Sequence, residues 1–245
     1  MKRYLSILVI LLAGCATVEN RPLFVNVGIS SYARPGSEAK KTFVLLPSEE
    51  GRSEDLQFLE FSAYVERALT TRGYQKAADY VSADLAVFVA YGIGDPQTHT
   101  YTYHIPVWGQ TGVASSTTTG IVNVYGNSGT YSQTTTNTPE YGIKGYTTQQ
   151  GSQITFTRHA FLTAYDLAIF RESKTERVVW QTSIVSVGKN GDLRAVFPIM
   201  IAASRPYIGM STGKNVVVNL HEDEVSVLEV KGLSIPEGKA IKKEK

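Results

Sequence analysis

Apolar residues fall at alternate positions Leu23, Val25, Val27 and Ile29, the period of a half-buried strand. Arg34-Pro-Gly-Ser37 reads as a turn. Thr42–Leu46 is a short apolar run stopped by Pro47, which suits a buried strand. The pattern then changes period. Phe58, Phe61, Val65 and Leu69 follow at spacings of 3, 4 and 4, one apolar stripe along a helix. Ser53 is the expected cap, with Glu54 and Asp55 at the positive end of the helix dipole. Gly73 is the expected stop, where a left-handed residue is needed. Asp84–Gly94 is apolar on both faces and predicts a central strand. Strand, helix and strand in this order predict a small α/β unit over about residues 40–94.

Further on, Ile154–Phe170 predicts a long alternating strand, a turn at Glu172–Glu176, and a return strand Val178–Val187 carrying Trp180. A helix capped by Asp192 follows, with Pro198 either kinking it or marking its true start. Val216–Leu220 predicts a strand, and Glu222–Val230 fits either strand or helix. The expected fold class is α+β: a largely antiparallel β-sheet with two or three helices and long β-hairpins.

Composition changes this picture in one place. Residues 96–139 contain no Asp, Glu, Lys or Arg, and only Glu140 and Lys144 intervene before Arg158. Disordered segments are usually charged and poor in aromatics. Here half of the 14 tyrosines lie between Tyr91 and Tyr146, among many threonines. Both residue types favour strands. Thr100-Tyr-Thr-Tyr103 alternates, and Ile105 and Val107 continue the tyrosine face. Hairpins are expected, with exposed tips around Ser115–Thr119 and Asn127–Thr138. Tyr101, Tyr103, Trp108, Tyr125 and Tyr131 are the candidate surface for a protein or glycan partner, because each offers an apolar body with a polar tip. The plainer reading is packing of the β-hairpins against the rest of the domain.

The first 15 residues carry their own signal. Lys2 and Arg3 precede the apolar run Tyr4–Ala13, then Gly14 and Cys15. The run is far shorter than the roughly 20 residues of a spanning helix, and its flanks are those of an export signal. Leu12-Ala13-Gly14-Cys15 resembles the bacterial lipobox, which implies acylation of Cys15 and cleavage after Gly14. Each buried CH₂ contributes ~0.8 kcal/mol, so several acyl chains anchor stably. Ala16 in place of Asp implies sorting to the outer membrane, at its periplasmic face. The expected organisation is 1–14 signal peptide, 15–21 lipidated tether, 22–237 a single α+β envelope domain with a charge-free hairpin insertion at about 96–153, and 238–245 a basic, solvated tail. Losing Lys2 and Arg3 with the signal takes the 24 basic and 22 acidic residues to 22 of each. That neutrality gives no footprint for nucleic acid. Cys15 is the only cysteine, so no internal disulfide is available.

A wider resemblance rests on three stretches: the lipobox, Ala68-Leu-Thr-Thr-Arg-Gly-Tyr74, and Ser82-Ala-Asp-Leu-Ala-Val87. Together they resemble the Gram-negative envelope lipoproteins grouped as domain of unknown function 4136. Trp180 with its strand, Gly191-Asp-Leu-Arg194 and Pro206-Tyr-Ile-Gly209 resemble features of a subset. The resemblance implies no enzymatic activity and brings no site residues.

Catalytic signatures are thin. His99 and His104, five apart, face opposite sides of a regular strand, and His159 and His221 stand alone. Gly92-Ile-Gly94-Asp95 lacks the third glycine and following helix of a nucleotide loop. Asp166, in an otherwise apolar strand, is expected to pair with Arg158 or Arg194. No metal and no cofactor is expected. The expected role is non-enzymatic binding or scaffolding in the envelope, with the outer membrane and an envelope protein or glycan as partners. The alternatives are a subunit of an oligomeric β-hairpin pore or secretion assembly, and a glycan-acting enzyme. Cys15→Ser should abolish incorporation of labelled fatty acid and release the chain from the outer-membrane fraction; unchanged labelling would refute the lipid anchor.

Overall fold

A computed structural model describes residues 22–49 and 53–235. Cys15, most of the tether and the basic tail lie outside the described residues. The described residues form two compact units, one made of those up to Pro96 together with those from Thr155, the other of Gln97–Ile154.

The first unit is α+β. Its strands are β1 (Phe24–Ala33), β2 (Thr42–Pro47), β3 (Gln75–Lys76), β4 (Leu85–Ile93), the end of β6 (Ser128–Asp166), β7 (Val178–Gly188) and β8 (Val216–His221). The remaining strand, β5 (Gln97–Tyr125), belongs to the second unit. The sheet order is β3-β2-β4-β6-β7-β1-β8. It is mixed: β2 pairs parallel with β3 and β4, and the rest is antiparallel. The parallel part is the expected strand–helix–strand unit, because a helix must carry the chain back before β4 can lie beside β2. Among the described residues there are four α-helices rather than two or three: α1 (Leu56–Thr71), α2 (Leu167–Ser173), α3 (Leu193–Ser204) and α4 (Val225–Lys231).

Each helix has a local cause. The cap of α1 is Asp55, two residues later than Ser53; its carboxylate accepts from the Gln57 amide at 2.8 Å. Gly73 ends the helix at φ 82°. Asp192 caps α3 through the Arg194 and Ala195 amides. Pro198 lies inside α3 and does not start it. Val196–Ser204 are buried all round, so α3 is the central helix, packed on β1, β7 and β8 and against α1 and α4. In the ambiguous stretch 222–230 the helix wins: Val227 and Val230 bury one turn apart, and Gly232 closes α4 at φ 72°.

The strand predicted to reach Phe170 stops at Asp166, because Asp166 caps α2. Its carboxylate accepts from the Ala168 and Ile169 amides at 3.1 and 3.3 Å and from Lys40 Nζ at 3.0 Å. Burial pushes this carboxyl up, but the Lys40 and amide hydrogen bonds outweigh it and hold it below its ordinary value. Neither expected partner is used. Arg158 is itself buried, and donates to the Asn190 carbonyl at 2.7 Å and Ser186 Oγ at 2.8 Å. Arg194 forks onto Glu60 across the surface.

The core lies between the sheet and α1, α3 and α4. Phe61 stacks on Phe197 with centroids 4.0 Å apart, and Tyr91 meets Phe61 edge-on at 4.7 Å. Residues from separate motifs meet nearby: Tyr74 packs edge-on to Trp180, and a Cβ on Gly209 (φ 73°) would overlap the Tyr74 hydroxyl. Asp84, in the Ser82–Val87 stretch, accepts from Thr42 Oγ1 at 2.7 Å and from the Thr42 amide at 3.1 Å, pinning β4 beside β2. Phe61 is fully buried, so Phe61→Ala should lower the unfolding free energy by ~3–5 kcal/mol. Glu66 makes an exposed ion pair with Lys76, and Glu66→Ala should cost at most about 1 kcal/mol. Chemical denaturation of the two variants compares them; equal losses would contradict this packing.

Candidate functional site

Gln97–Ile154 is a single two-stranded ribbon. β5 runs 29 residues to Tyr125, Gly126-Asn127 turn, and β6 starts back at Ser128. At about 3.3 Å per residue the longer run spans roughly 95 Å. Gly126 has φ 57° and Asn127 does not share the positive φ, the pattern of a hairpin turn with glycine in first place. The expected tips at Ser115–Thr119 and Asn127–Thr138 are therefore strand, apart from Asn127 itself. The reason is that their hydroxyls pair across the ribbon. Thr118 and Thr135 share a hydrogen bond of 2.9 Å, and Ser116 donates to Asn137 at 2.8 Å. Nearer the base, Tyr103 donates to Gln149 at 3.2 Å, and His104 and Thr148 bond at 3.1 Å. Glycines face aromatics across the strands: Tyr131 lies over Gly120 and Tyr101 over Gly151, covering positions that would otherwise be bare.

No residue of this unit is buried. The five aromatics singled out in the sequence are 52% (Tyr101), 43% (Tyr103), 69% (Trp108), 84% (Tyr125) and 63% (Tyr131) exposed, so that even Tyr101 and Tyr131, which cover glycines across the ribbon, leave about half or more of their surface open. They do not converge. Tyr101 and Tyr103 adjoin at 6.0 Å on β5, whereas Tyr125 and Tyr131 flank the turn. What sequence reasoning missed is the backbone. Among the described residues β5 pairs only with β6, and β6 has no other strand partner before Phe156. From Thr100 onward the ribbon presents two long strand edges with no charged side chain before Glu140. Natural edges are normally protected by charge, proline or a covering element. The only signal of this in the sequence was the missing charge.

The first unit fixes where the ribbon is rooted. Ile93 pairs with Arg158, Phe156 with Gly188, and Val185 lies between His159 and Gly28. The start of β1, the end of β4 and the entry of β6 therefore lie at one edge of the sheet. The chain leaves the sheet for the ribbon after Ile93, and re-enters it at Phe156, at the end of the sheet where β1 begins.

Other chemistry in the first unit is sparse. A cavity of about 540 Å³ is lined by Arg34, Lys41, Arg72 and Tyr74, and one of about 500 Å³ by Tyr80, Phe88, Tyr165 and Phe170. Among the described residues no three His, Cys, Asp or Glu side chains gather as metal ligands, and no helix is long and apolar enough to cross a membrane.

No protein-family model matches the chain, and no curated protein matches it. Among solved structures, a PDZ domain protein from Parabacteroides distasonis is similar at 14% identity over 81% of this chain and 40% of that one, with a TM-score of 0.35. A lysenin pore is similar at 8% identity over 81% of this chain and 49% of that one, with a TM-score of 0.13. The chain spans less than half the length of either. Trp108 is exposed and Trp180 is buried, so in detergent-free monomer the emission lost in Trp108→Phe should be the red-shifted, iodide-quenchable part. Equal quenching of both indoles would contradict the exposed ribbon.

Proposed function

We propose that the chain is a non-enzymatic lipoprotein of the outer membrane, anchored through acyl groups on Cys15 at the periplasmic face, and that the β5–β6 ribbon is its binding element. The observation that carries this reading is the ribbon itself: two strands exposed on both faces, without charge over residues 96–139. A two-stranded ribbon is marginal alone in water, and uncharged open edges invite a further strand. A partner that supplies strand pairing or covers the aromatic faces removes both problems. The sheet edge supports the anchoring. A seven-residue tether reaches at most about 25 Å, so lipid on Cys15 holds the root of the ribbon close to the bilayer. The resemblance to the domain of unknown function 4136 lipoproteins agrees with an envelope role.

The test replaces residues 114–139 with Asn-Gly, which closes a shorter hairpin. Because the first unit has its own core, its unfolding free energy should stay within about 0.5 kcal/mol of the parent. Outer-membrane fractionation should be unchanged, and species captured by crosslinking in intact cells should disappear. Retention of every crosslinked species would show that binding lies elsewhere.

A further inference from the structure

We infer that the partner of the ribbon is the same ribbon on further copies of this chain: the β5 edge of one copy pairs with the β6 edge of the next, head to tail, and the series closes into a β-barrel. This rests on the proposed lipid anchoring and names the partner of the same element.

Three features of the ribbon select a second copy. The two edges match in length, since β5 has 29 residues and β6 returns beside it from Ser128. A partner that satisfied both edges over that distance must itself offer two long strands. Charge hardly distinguishes the edges: β5 has no charged side chain, and β6 has none from Ser128 to Pro139 and only Glu140 and Lys144 from there to Ile154. One acidic and one basic side chain give a partner chosen by opposite charge little to read. Finally, the proposed anchoring favours one direction: with Cys15 of every copy held in one membrane, the points where β5 leaves and β6 re-enters the first unit face the same side in every copy. In neighbours so aligned, β5 running away from the root lies antiparallel to the next copy's β6 running back. That repeats the pairing inside the ribbon, whereas β5 against β5 would be parallel. A head-to-tail contact has no built-in stop, and closure into a ring is what removes the last free edge.

The turn tells which backbone groups make the contact. With a two-residue turn at Gly126-Asn127, Tyr125 and Ser128 are a hydrogen-bonded pair, and pairs alternate from there. Thr118 and Thr135 then form a non-hydrogen-bonded pair, which agrees with their hydroxyl contact of 2.9 Å. Their amides point outward, one on each edge. Proline at such a position removes an edge donor and leaves the bonds inside the ribbon intact.

The experiment uses the full lipidated chain in detergent and reads molar mass by light scattering. The wild type should form one species of at least about four copies, since eight strands make the smallest filled barrels. Thr118→Pro and Thr135→Pro should each be monomeric, and an equal mixture of the two should give dimers and nothing larger, because one intact edge remains on each. Introducing Ser116→Cys and Asn137→Cys together in each proline variant should give a disulfide within one chain, which reports that the ribbon itself still forms. Wild-type mass in either proline variant, or dimers of one variant alone, would overturn head-to-tail pairing. A monomeric wild type that is still lipidated, and whose crosslinks in cells still vanish on shortening the ribbon, would overturn self-assembly and leave the function proposed above standing.

Discussion

Antiparallel pairing of β4 with β6 is the constraint on which the rest of the structure depends. Nine residue pairs, from Leu85 with Asp166 to Ile93 with Arg158, hold these strands at the middle of the sheet. On one side β4 carries β2 and β3, and so the helix α1; on the other, β6 carries β7, β1 and β8. The two strands are apolar where they pass through the core: Leu85, Val87 and Val89 bury against the helices with Ala160, Leu162 and Ala164. One residue of slip would turn these side chains to the opposite face and bring Thr163 and Tyr165 inward. The same pairing decides where the chain leaves the sheet at Pro96 and returns at Thr155.

Beyond that edge the physical problem changes. Inside the first unit every strand is paired in the sheet, and its buried charges have partners: Asp166 bonds Lys40 and two amides, and the two terminal nitrogens of Arg158 donate to Asn190 and Ser186, while Arg158 Nε bonds nothing among the described residues. In Gln97–Ile154 nothing is buried, and stability rests on backbone pairing plus short hydroxyl, amide and aromatic contacts between two strands. Such contacts contribute roughly 0.2–1 kcal/mol each. They set the register of the ribbon but do not replace a core. A long uncharged ribbon therefore makes physical sense as a component that is completed by another strand, and an anchor at its root would concentrate copies where completion occurs.

Much of the first unit was legible in the sequence because burial and period agree there. The stripe Phe58, Phe61, Val65 and Leu69 is all buried on α1, the alternation from Val25 to Ile29 is buried on β1, and Asp192 caps α3. The misreadings fall where one side chain decides between elements. Asp166 continues an alternating pattern, yet its carboxylate ends the strand by capping α2, a choice made by Lys40 more than 120 residues away. Asp55 takes the capping place from Ser53. Ser115–Thr119 and Asn127–Thr138 are expected as exposed tips for their hydroxyl-rich runs, but threonine also favours strands and the partners lie directly across the ribbon. The aromatic residues named in advance are on the ribbon and exposed; the open backbone edges beside them have no side-chain signature, so only their lack of protecting charge could be read.

Hydrogen–deuterium exchange of the full chain in its native outer membrane tests the central claim most directly, because it reads the ribbon edges residue by residue. Within an isolated ribbon, alternate amides from Thr100 to Ile154 point to solvent. If the ribbon works by strand pairing, both sets of amides will be protected along β5 and along β6, including those of Thr118 and Thr135. Unprotected exchange at every second residue on both strands would show that the edges stay open in the membrane, and would contradict the account.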